Sequence, residues 1–245
     1  MSGHSKWATI KHKKAATDAK RGSLFTKLIK EITIAARSGG KPETNPRLRV
    51  AIERAKEQSM PADNIERAVK KGTGELEGVS YEDITFEGYG PGGVAIFIEG
   101  VSDNKNRATS EVRTIFSKRG SNMAGAGSVS WMFEKKGYFV INKKTIDEDK
   151  LMGIVLDAGA EDLITEDENY AVKTAPADFF KVKKALEDNK IATEDAEITL
   201  LPKSTVKVTG EDVKKVLDLV DALEEHEDVQ HVYANFDIPD ELIKE

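Results

Sequence analysis

Residues 138–200 read YFVINKKTIDEDKLMGIVLDAGAEDLITEDENYAVKTAPADFFKVKKALEDNKIATEDAEITL, and they carry the strongest fold signal in the chain. A short apolar strand, an amphipathic helix and a second strand follow one another twice in this stretch. The predicted strands are 138–141, 162–165, 170–174 and 193–200, and the predicted helices are 147–158 and 177–188. A βαββαβ order in about 65 residues is typical of a ferredoxin-like domain, which we predict at 137–202.

The segments on both sides of this domain predict a second α+β domain. The turn Gly88-Tyr89-Gly90-Pro91-Gly92-Gly93 separates a strand at 81–87 from the apolar run 94–98. The elements predicted after it are a helix at 104–118, a strand at 129–133, a short strand at 206–208, a helix at 211–225 and a strand at 229–236. Residues 94–133 and the C-terminal segment would then form another βαββαβ unit, interrupted by the first one.

The N-terminal third of the chain predicts helices alone. Apolar residues recur at three- and four-residue spacing over 24–37, and Asn45-Pro46 is a cap and first-turn pair that starts a helix through Gln58. A third helix follows Pro61, and we expect Gly72 to end it. The whole chain is therefore predicted to be an α+β multidomain protein. Its domains would be a basic arm and helical domain (1–74), a split α+β domain (75–136 plus 203–245) and the inserted ferredoxin-like α+β domain (137–202).

Charge is distributed very unevenly along the chain. Residues 1–74 contain seventeen Lys and Arg against seven Asp and Glu, a net of +10, whereas residues 75–245 contain twenty against thirty-six, a net of −16. A basic end on an otherwise acidic protein favours binding of a polyanion at that end. We therefore expect nucleic acid to bind the N-terminal domain.

The candidate contact residues share a positive charge, an imidazole or an aromatic ring. Trp7 lies in a segment with few apolar neighbours, which suits stacking on a base better than joining a core. The predicted nucleic-acid-binding residues are His4, Lys6, Trp7, Lys11, His12, Lys13, Lys14, Lys20, Arg21, Lys27, Lys30, Arg47 and Arg49. A purely solubilising basic tail is the alternative interpretation of the first 22 residues.

Other kinds of site have weaker support. The chain has no cysteine, which excludes disulfides and thiolate chemistry, and no apolar run long enough for a membrane span or a secretory signal. The glycines at 88–93 lack the Lys-Ser/Thr helix start of a phosphate loop, and those at 120–127 precede a strand, the wrong order for a dinucleotide fingerprint. His4 and His12 have no third ligand nearby. We expect a cytoplasmic, non-enzymatic protein with no cofactor, no metal and no membrane partner.

The N-terminal block Gly3-His4-Ser5-Lys6-Trp7 and six further motifs along the chain resemble the YebC/PmpR family of regulatory proteins, whose mitochondrial relatives are translational activators of a cytochrome oxidase subunit. The resemblance runs from end to end, and the N-terminal Gly3-His4-Ser5-Lys6-Trp7 block is highly specific to the family. The other matching motifs are Ile10-Lys11-His12-Lys13-Lys14, Phe25-Thr26-Lys27-Leu28-Ile29, Asn45-Pro46-Arg47-Leu48, Asn64-Ile65-Glu66-Arg67-Ala68, Gly90-Pro91-Gly92-Gly93-Val94 and 127–133. Where the family usually reads Gly-Gly-Asn-Leu-Gly, this chain has Gly120-Ser121-Asn122-Met123-Ala124.

The resemblance implies three domains, the first helical, and a non-enzymatic regulator of gene expression. Bacterial members are described as DNA-binding transcriptional regulators, which is the function predicted here. The mitochondrial relatives point to the alternative, a translation factor or activator that binds ribosomal or messenger RNA and associates with the ribosome. Lys and Arg contacts to phosphate are alike on both polymers, so DNA and RNA stay open at this point, as do the transcription machinery as a partner and the oligomeric state. A third hypothesis is a protein-interaction module whose acidic domains dock a basic partner.

Overall fold

The computed structural model describes residues 18–166 and 168–239. Their contacts form two compact units, one of residues 18–130 with 209–232 and the other of residues 131–208 with 233–239. The helices are α1 (Asp18–Ala36), α2 (Pro46–Glu57), α3 (Ala62–Thr73), α4 (Lys105–Lys118), α5 (Glu148–Asp157), α6 (Phe179–Asp188) and α7 (Glu211–Glu224). The strands are β1 (Glu82–Tyr89), β2 (Ala95–Ser102), β3 (Asn122–Ala124), β4 (Phe133–Asn142), β5 (Ala160–Thr165), β6 (Asn169–Thr174), β7 (Asp195–Pro202), β8 (Val206–Lys207), β9 (Val229–Ala234) and β10 (Phe236–Asp237). Across the described ranges no helix is both long and apolar enough to cross a membrane.

Helices α1, α2 and α3 confirm the predicted helical region. Their buried apolar side chains, among them Ile32, Leu48 and Ile65, form one shared core. Asn45 explains the start of α2, because its side-chain oxygen accepts the Leu48 N–H at 3.1 Å. Its amide nitrogen donates to the Ala35 carbonyl at 2.7 Å, so the same buried residue also ties α2 to the end of α1.

The end of α3 differs from the expectation. The helix continues through Gly72 to Thr73, and Gly74, with φ of 82°, is the left-handed residue after it. Gly72 has a packing role instead. A Cβ at this position would collide with the Thr33 carbonyl oxygen of α1 and lie 2.6 Å from the Ala36 Cβ, so only glycine lets α1 and α3 approach this closely.

The sheet of the first unit has the strand order β3-β1-β2-β9. Strands β1 and β2 form the predicted hairpin, with Tyr89 opposite Ala95 and a short 3₁₀ turn at Pro91–Gly93. Helices α4 and α7 contact each other, and α4 begins close to the predicted position, where Asn104 caps it by accepting the Arg107 N–H. This unit therefore buries its apolar strands and helices in a mixed α+β arrangement.

The predicted second βαββαβ unit is wrong in two of its strands. Residues 129–133 are not a strand: Ser130–Met132 form a 3₁₀ turn, β4 begins only at Phe133, and Asn122–Ala124 supply the edge strand against β1. Strand β8 is not part of this sheet either, because it pairs in parallel with β10 in the second unit. The sequence pattern missed this because strand pairing depends on partners far away in the chain.

The second unit contains the predicted ferredoxin-like element order. Its four strands lie in the order β5-β6-β4-β7, with antiparallel neighbours throughout. The apolar faces of α5 and α6 share one core with the sheet, built on Phe139, Leu151, Val172 and Val182. The ring of Phe179 stacks on Phe139 at 4.7 Å. The protein is thus a mixed α+β protein with a helical N-terminal region, while the three-domain division and the insertion stay predictions.

Substitution of Gly72 by alanine should destabilise the first unit. The new Cβ must push α3 away from the backbone of α1, which we expect to cost about 1–3 kcal/mol in the free energy of unfolding, measured by urea denaturation. The matched control is Gly153→Ala, since Gly153 is also helical and a Cβ there meets nothing within 4 Å. That control should be neutral or stabilising by about 0.5–1 kcal/mol. Equal stability of Gly72→Ala and wild type would contradict the close packing.

Candidate nucleic-acid interface

The predicted contact residues fall into two groups in the structure. His4, Lys6, Trp7, Lys11, His12, Lys13 and Lys14 lie outside the described residues. Lys20 and Arg21 are in the first described turn of α1, and Lys27 and Lys30 are further along the same helix. Arg47 and Arg49 are in the first turn of α2. The described candidates thus come from two helices of one unit.

Lys30 is not a surface residue. It is only 6% exposed, and its ammonium group lies 2.7 Å from a carboxylate oxygen of Asp228, a residue that is itself fully buried. The same ammonium donates to the Glu227 carbonyl at 3.1 Å. The expectation that Lys30 faces nucleic acid is therefore wrong, because its charge compensates a buried carboxylate just before β9.

Asp228 is the centre of a wider polar cluster. Its second carboxylate oxygen accepts hydrogen bonds from the Ser102 hydroxyl and from the Arg107 guanidinium, both at 2.9 Å. Burial alone would raise the pKa of Asp228, but the hydrogen bonds from Lys30, Arg107 and Ser102 outweigh it and hold the pKa below its usual value. The carboxylate therefore stays charged and joins α1, the end of β2, α4 and the start of β9.

Three further basic residues of the helical region bind neighbouring parts of the same unit. Lys27 donates to the Glu224 carbonyl at the end of α7, and Arg37 donates to the Tyr81 carbonyl before β1. Arg47 lies between two acidic side chains, 3.0 Å from Glu31 and 2.8 Å from Asp83. Part of the positive charge that the sequence assigned to nucleic acid is thus used to hold the helices against the α+β region.

Several other basic side chains of this region lie on its surface, while Lys70 pairs with Glu66. Lys41, Lys56, Arg67 and Lys71 are exposed, and Arg49 is half-buried on α2. Lys41 precedes α2, Lys56 lies in its last turn, and Arg67 and Lys71 lie on α3. Arg67 and Lys71, four residues apart, lie on the same side of α3.

One cluster of the first unit has the residue types of a metal site. Oxygen or nitrogen atoms of Glu111, His226 and Asp228 lie within 4.8 Å of one another. Their hydrogen bonds argue against a cation, because Lys30 and Arg107 already surround the Asp228 carboxylate. His226 Nδ1 accepts the Asp228 N–H at 3.1 Å, so the neutral ring carries its proton on Nε2 and donates it to Glu111 at 2.9 Å. The cluster therefore works as an internal polar network.

The segment 120–130, which contains the glycine-rich loop and precedes β4, binds a carboxylate of the protein itself. The buried carboxylate of Glu87 on β1 accepts the N–H groups of Gly127, Val129 and Ser130 at 2.5–3.0 Å. Burial opposes ionisation of Glu87, yet these three donors lower its pKa below the usual value. The backbone donors that could otherwise cradle a phosphate are occupied, which agrees with the interpretation of 120–127 as other than a nucleotide loop.

Sequence reasoning did not single out Asp228 or Glu87. Both are acids in a strongly acidic half of the chain, and neither has a local motif around it. The donors of Asp228 come from residues as far as 198 positions away, and those of Glu87 from about 40 positions away. Only a fold that brings these segments together distinguishes them from solvated carboxylates.

Comparison with known families covers nearly all of this architecture. Residues 5–75 match the family described as TACO1/YebC protein N-terminal domain, and residues 81–236 match the family described as TACO1/YebC second and third domain. The chain belongs to the TACO1/YebC family. The family resemblance drawn from the sequence motifs is thus confirmed.

Relatives match this TACO1/YebC protein over their full length. A protein of Desulfatibacillum aliphaticivorans is 57% identical over 246 residues that cover all of both chains, and one of Dictyoglomus turgidum is 56% identical over all of this chain and 99% of its own. Both are named probable transcriptional regulatory protein. A crystal structure of a conserved hypothetical protein from Aquifex aeolicus is 49% identical, with a TM-score of 0.84 over 96% of this chain and 98% of that one.

Replacement of Asp228 by asparagine should strongly destabilise the first unit. The substitution leaves Lys30 buried without a counter-charge, and breaking such a pair costs about 3–5 kcal/mol in the free energy of unfolding. Denaturant unfolding measures the change, and Glu227→Gln, whose side chain is 63% exposed, is the adjacent control that should stay near wild type.

The difference in the free energy of unfolding between wild type and Asp228→Asn should depend on pH. Because the folded-state pKa of Asp228 is depressed, its stabilisation is present above the unfolded-state pKa of about 4 and is lost as the pH falls through the lower folded-state value. The stability difference between wild type and Asp228→Asn should therefore shrink in acid. A difference that stays constant down to acid unfolding would show that the carboxylate charge is not what matters.

Proposed function

We propose that this protein is a non-enzymatic, nucleic-acid-binding regulator of gene expression that acts on DNA in the control of transcription in the cytoplasm. The names of the full-length relatives support transcriptional regulation. The charge distribution supports a nucleic acid as the ligand, since the first 74 residues have a net charge of +10 in a chain with a net charge of −6.

The proposal depends on the exposed basic side chains of the described helical region that are not engaged in polar contacts within the protein. Lys30 is withdrawn from the predicted contact set, and Lys27, Arg47 and Arg49 would have to exchange protein partners for phosphate. Exposed Lys41, Lys56, Arg67 and Lys71 remain, together with the basic N-terminal segment. We assign the interface to these four exposed residues and to the predicted contact residues His4, Lys6, Trp7, Lys11, His12, Lys13, Lys14, Lys20, Arg21 and Arg49.

We assign no catalytic residue. The titratable cluster with the most suggestive geometry is Glu111–His226–Asp228, and its atoms are engaged in internal hydrogen bonds. A general acid or base needs an atom within reach of a substrate proton. Asp228, at the centre of this network, is fully buried and has no such access. The cluster is therefore better explained as part of the fold.

RNA is the alternative target, in a translation factor that works on the ribosome. The exposed basic residues contact phosphate, which both polymers present, so charge alone favours neither. Gel shifts with one labelled duplex DNA and one labelled structured RNA, combined with polysome co-sedimentation at moderate salt, separate the two targets. Tighter binding of RNA together with polysome association would replace the transcriptional assignment.

Binding to nucleic acid should depend steeply on salt. If roughly six to ten basic side chains neutralise phosphates, the affinity should fall by about 10³–10⁵ between 50 and 200 mM salt. The measurement is the slope of log K against log salt concentration for the full chain with each polymer. An affinity that is insensitive to salt would refute the electrostatic basis of the proposal.

Trp7→Ala should weaken nucleic-acid binding by about 1–3 kcal/mol through the loss of one base-stacking platform. The melting temperature should stay unchanged, and Trp7→Phe should recover much of the affinity. The chain has two tryptophans, so Trp131→Ala, which removes an indole 64% exposed in the second unit, is the matched control. A large drop in thermal stability for Trp7→Ala would identify Trp7 as a core residue instead.

A further inference from the structure

Helix α4 is basic although it lies in the acidic part of the chain. Residues 105–119 contain five Lys and Arg and one acidic residue, Glu111. The buried face of the helix consists of Ala108, Val112 and Phe116. Six exposed side chains lie away from that face, beside the exposed Glu111, and we name them the α4 stripe: Asn106, Ser110, Arg113, Thr114, Ser117 and Lys118.

Two of the five basic residues are committed to the fold, and the stripe contains others that are not. Arg107 binds Asp103 and Asp228, and Arg119 donates to the Asp218 carbonyl at 3.0 Å. Glu111, the single acid of the helix, is bonded to His226. Within the described ranges, neither Arg113 nor Lys118 has an ion pair or a side-chain hydrogen bond. The stripe thus presents two uncompensated positive charges.

We propose that the α4 stripe is a second contact surface for nucleic acid, where it binds the sugar–phosphate backbone. This inference rests on the proposed nucleic-acid-binding function and adds a site outside the N-terminal region. A guanidinium can bind a phosphate through two parallel hydrogen bonds, and hydroxyl and amide side chains donate to phosphate oxygens. Positions 106 to 118 span about 18 Å along the helix, enough for several successive phosphates of one strand.

The side-chain types favour a nucleic-acid backbone over an acidic protein. Protein interfaces are organised around aromatic or aliphatic anchors that fill pockets, and the stripe contains neither. Its members are two cations, one amide and three hydroxyls, of which the Thr114 hydroxyl donates to the Ser110 carbonyl at 2.8 Å. The cations, the amide and the two serine hydroxyls match a hydrated row of phosphates. The contacts carry no base information, so the stripe adds affinity and orientation and leaves sequence readout to other residues.

The test is the double substitution Arg113→Ala/Lys118→Ala in the full-length protein. The control is Lys144→Ala/Lys150→Ala, which removes the same net charge from two exposed lysines of the second unit. Loss of two phosphate contacts should lower the salt slope of binding by about two and weaken binding roughly 10- to 100-fold at 100 mM salt. The control should keep the wild-type salt slope. The variant Arg113→Lys/Lys118→Arg, which keeps both charges, should retain most of that slope.

The outcomes separate this inference from the function on which it rests. If the double variant folds and binds both DNA and RNA with wild-type affinity and salt slope, only the proposal that the α4 stripe binds nucleic acid is overturned. That result would point to an acidic protein as the partner of the stripe. Equal losses in the double variant and the lysine control would overturn it as well, because they would show a general effect of net charge. A wild-type protein that binds neither polymer would overturn both proposals.

Discussion

A fully buried carboxylate, Asp228, is the constraint on which the first unit depends. Removing a charged group from water costs several kcal/mol unless donors inside the protein replace the lost hydration. Here Lys30, Arg107 and Ser102 supply these donors from α1, α4 and β2. The three elements must therefore meet at one point. Gly100 in β2 lets the backbone of Asp228 come close to that strand, because a Cβ at position 100 would collide with the Asp228 carbonyl oxygen. The polar cluster specifies a position for the helical region that apolar packing alone would leave less sharply defined.

This constraint changes the meaning of the charge asymmetry. The +10 of the N-terminal region and the −16 of the remainder suggest one surface that binds a polyanion and another that repels it. In the folded protein, some of the opposite charges face each other at short distance, as Lys30 does with Asp228 and Arg47 with Asp83. A basic residue can thus stabilise the fold or contact a ligand, and its place in the sequence does not say which. The same distinction applies on α4, where Arg107 is bound internally and Arg113 is exposed.

The glycine-rich loop shows the same principle with the signs reversed. Its backbone N–H groups at Gly127, Val129 and Ser130 would suit an anionic ligand, but the Glu87 carboxylate fills that place from the neighbouring strand. Tyr89, two residues further along β1, donates its hydroxyl to the Ser128 carbonyl at 3.1 Å and adds a second anchor. The loop is therefore a fixed part of the first unit. Of the three residues at which it departs from the family pattern, Met123 and Ala124 lie in the edge strand β3 and Ser121 directly precedes it.

Features that depend on neighbouring residues could be predicted from the sequence. Asn45-Pro46 and Asn104 start helices, Gly90–Gly93 turn a hairpin, and the apolar periodicity of 138–200 specifies βαββαβ, because caps, turns and helix periods act over a few residues. The family also followed from sequence, through contiguous motifs. The pairing of the strands, the place of Gly72 inside a helix and the set of internal charges became visible only in the folded protein. These outcomes arise from contacts between segments up to about two hundred residues apart, where the cost of burying a polar group is set by partners that no local pattern reveals.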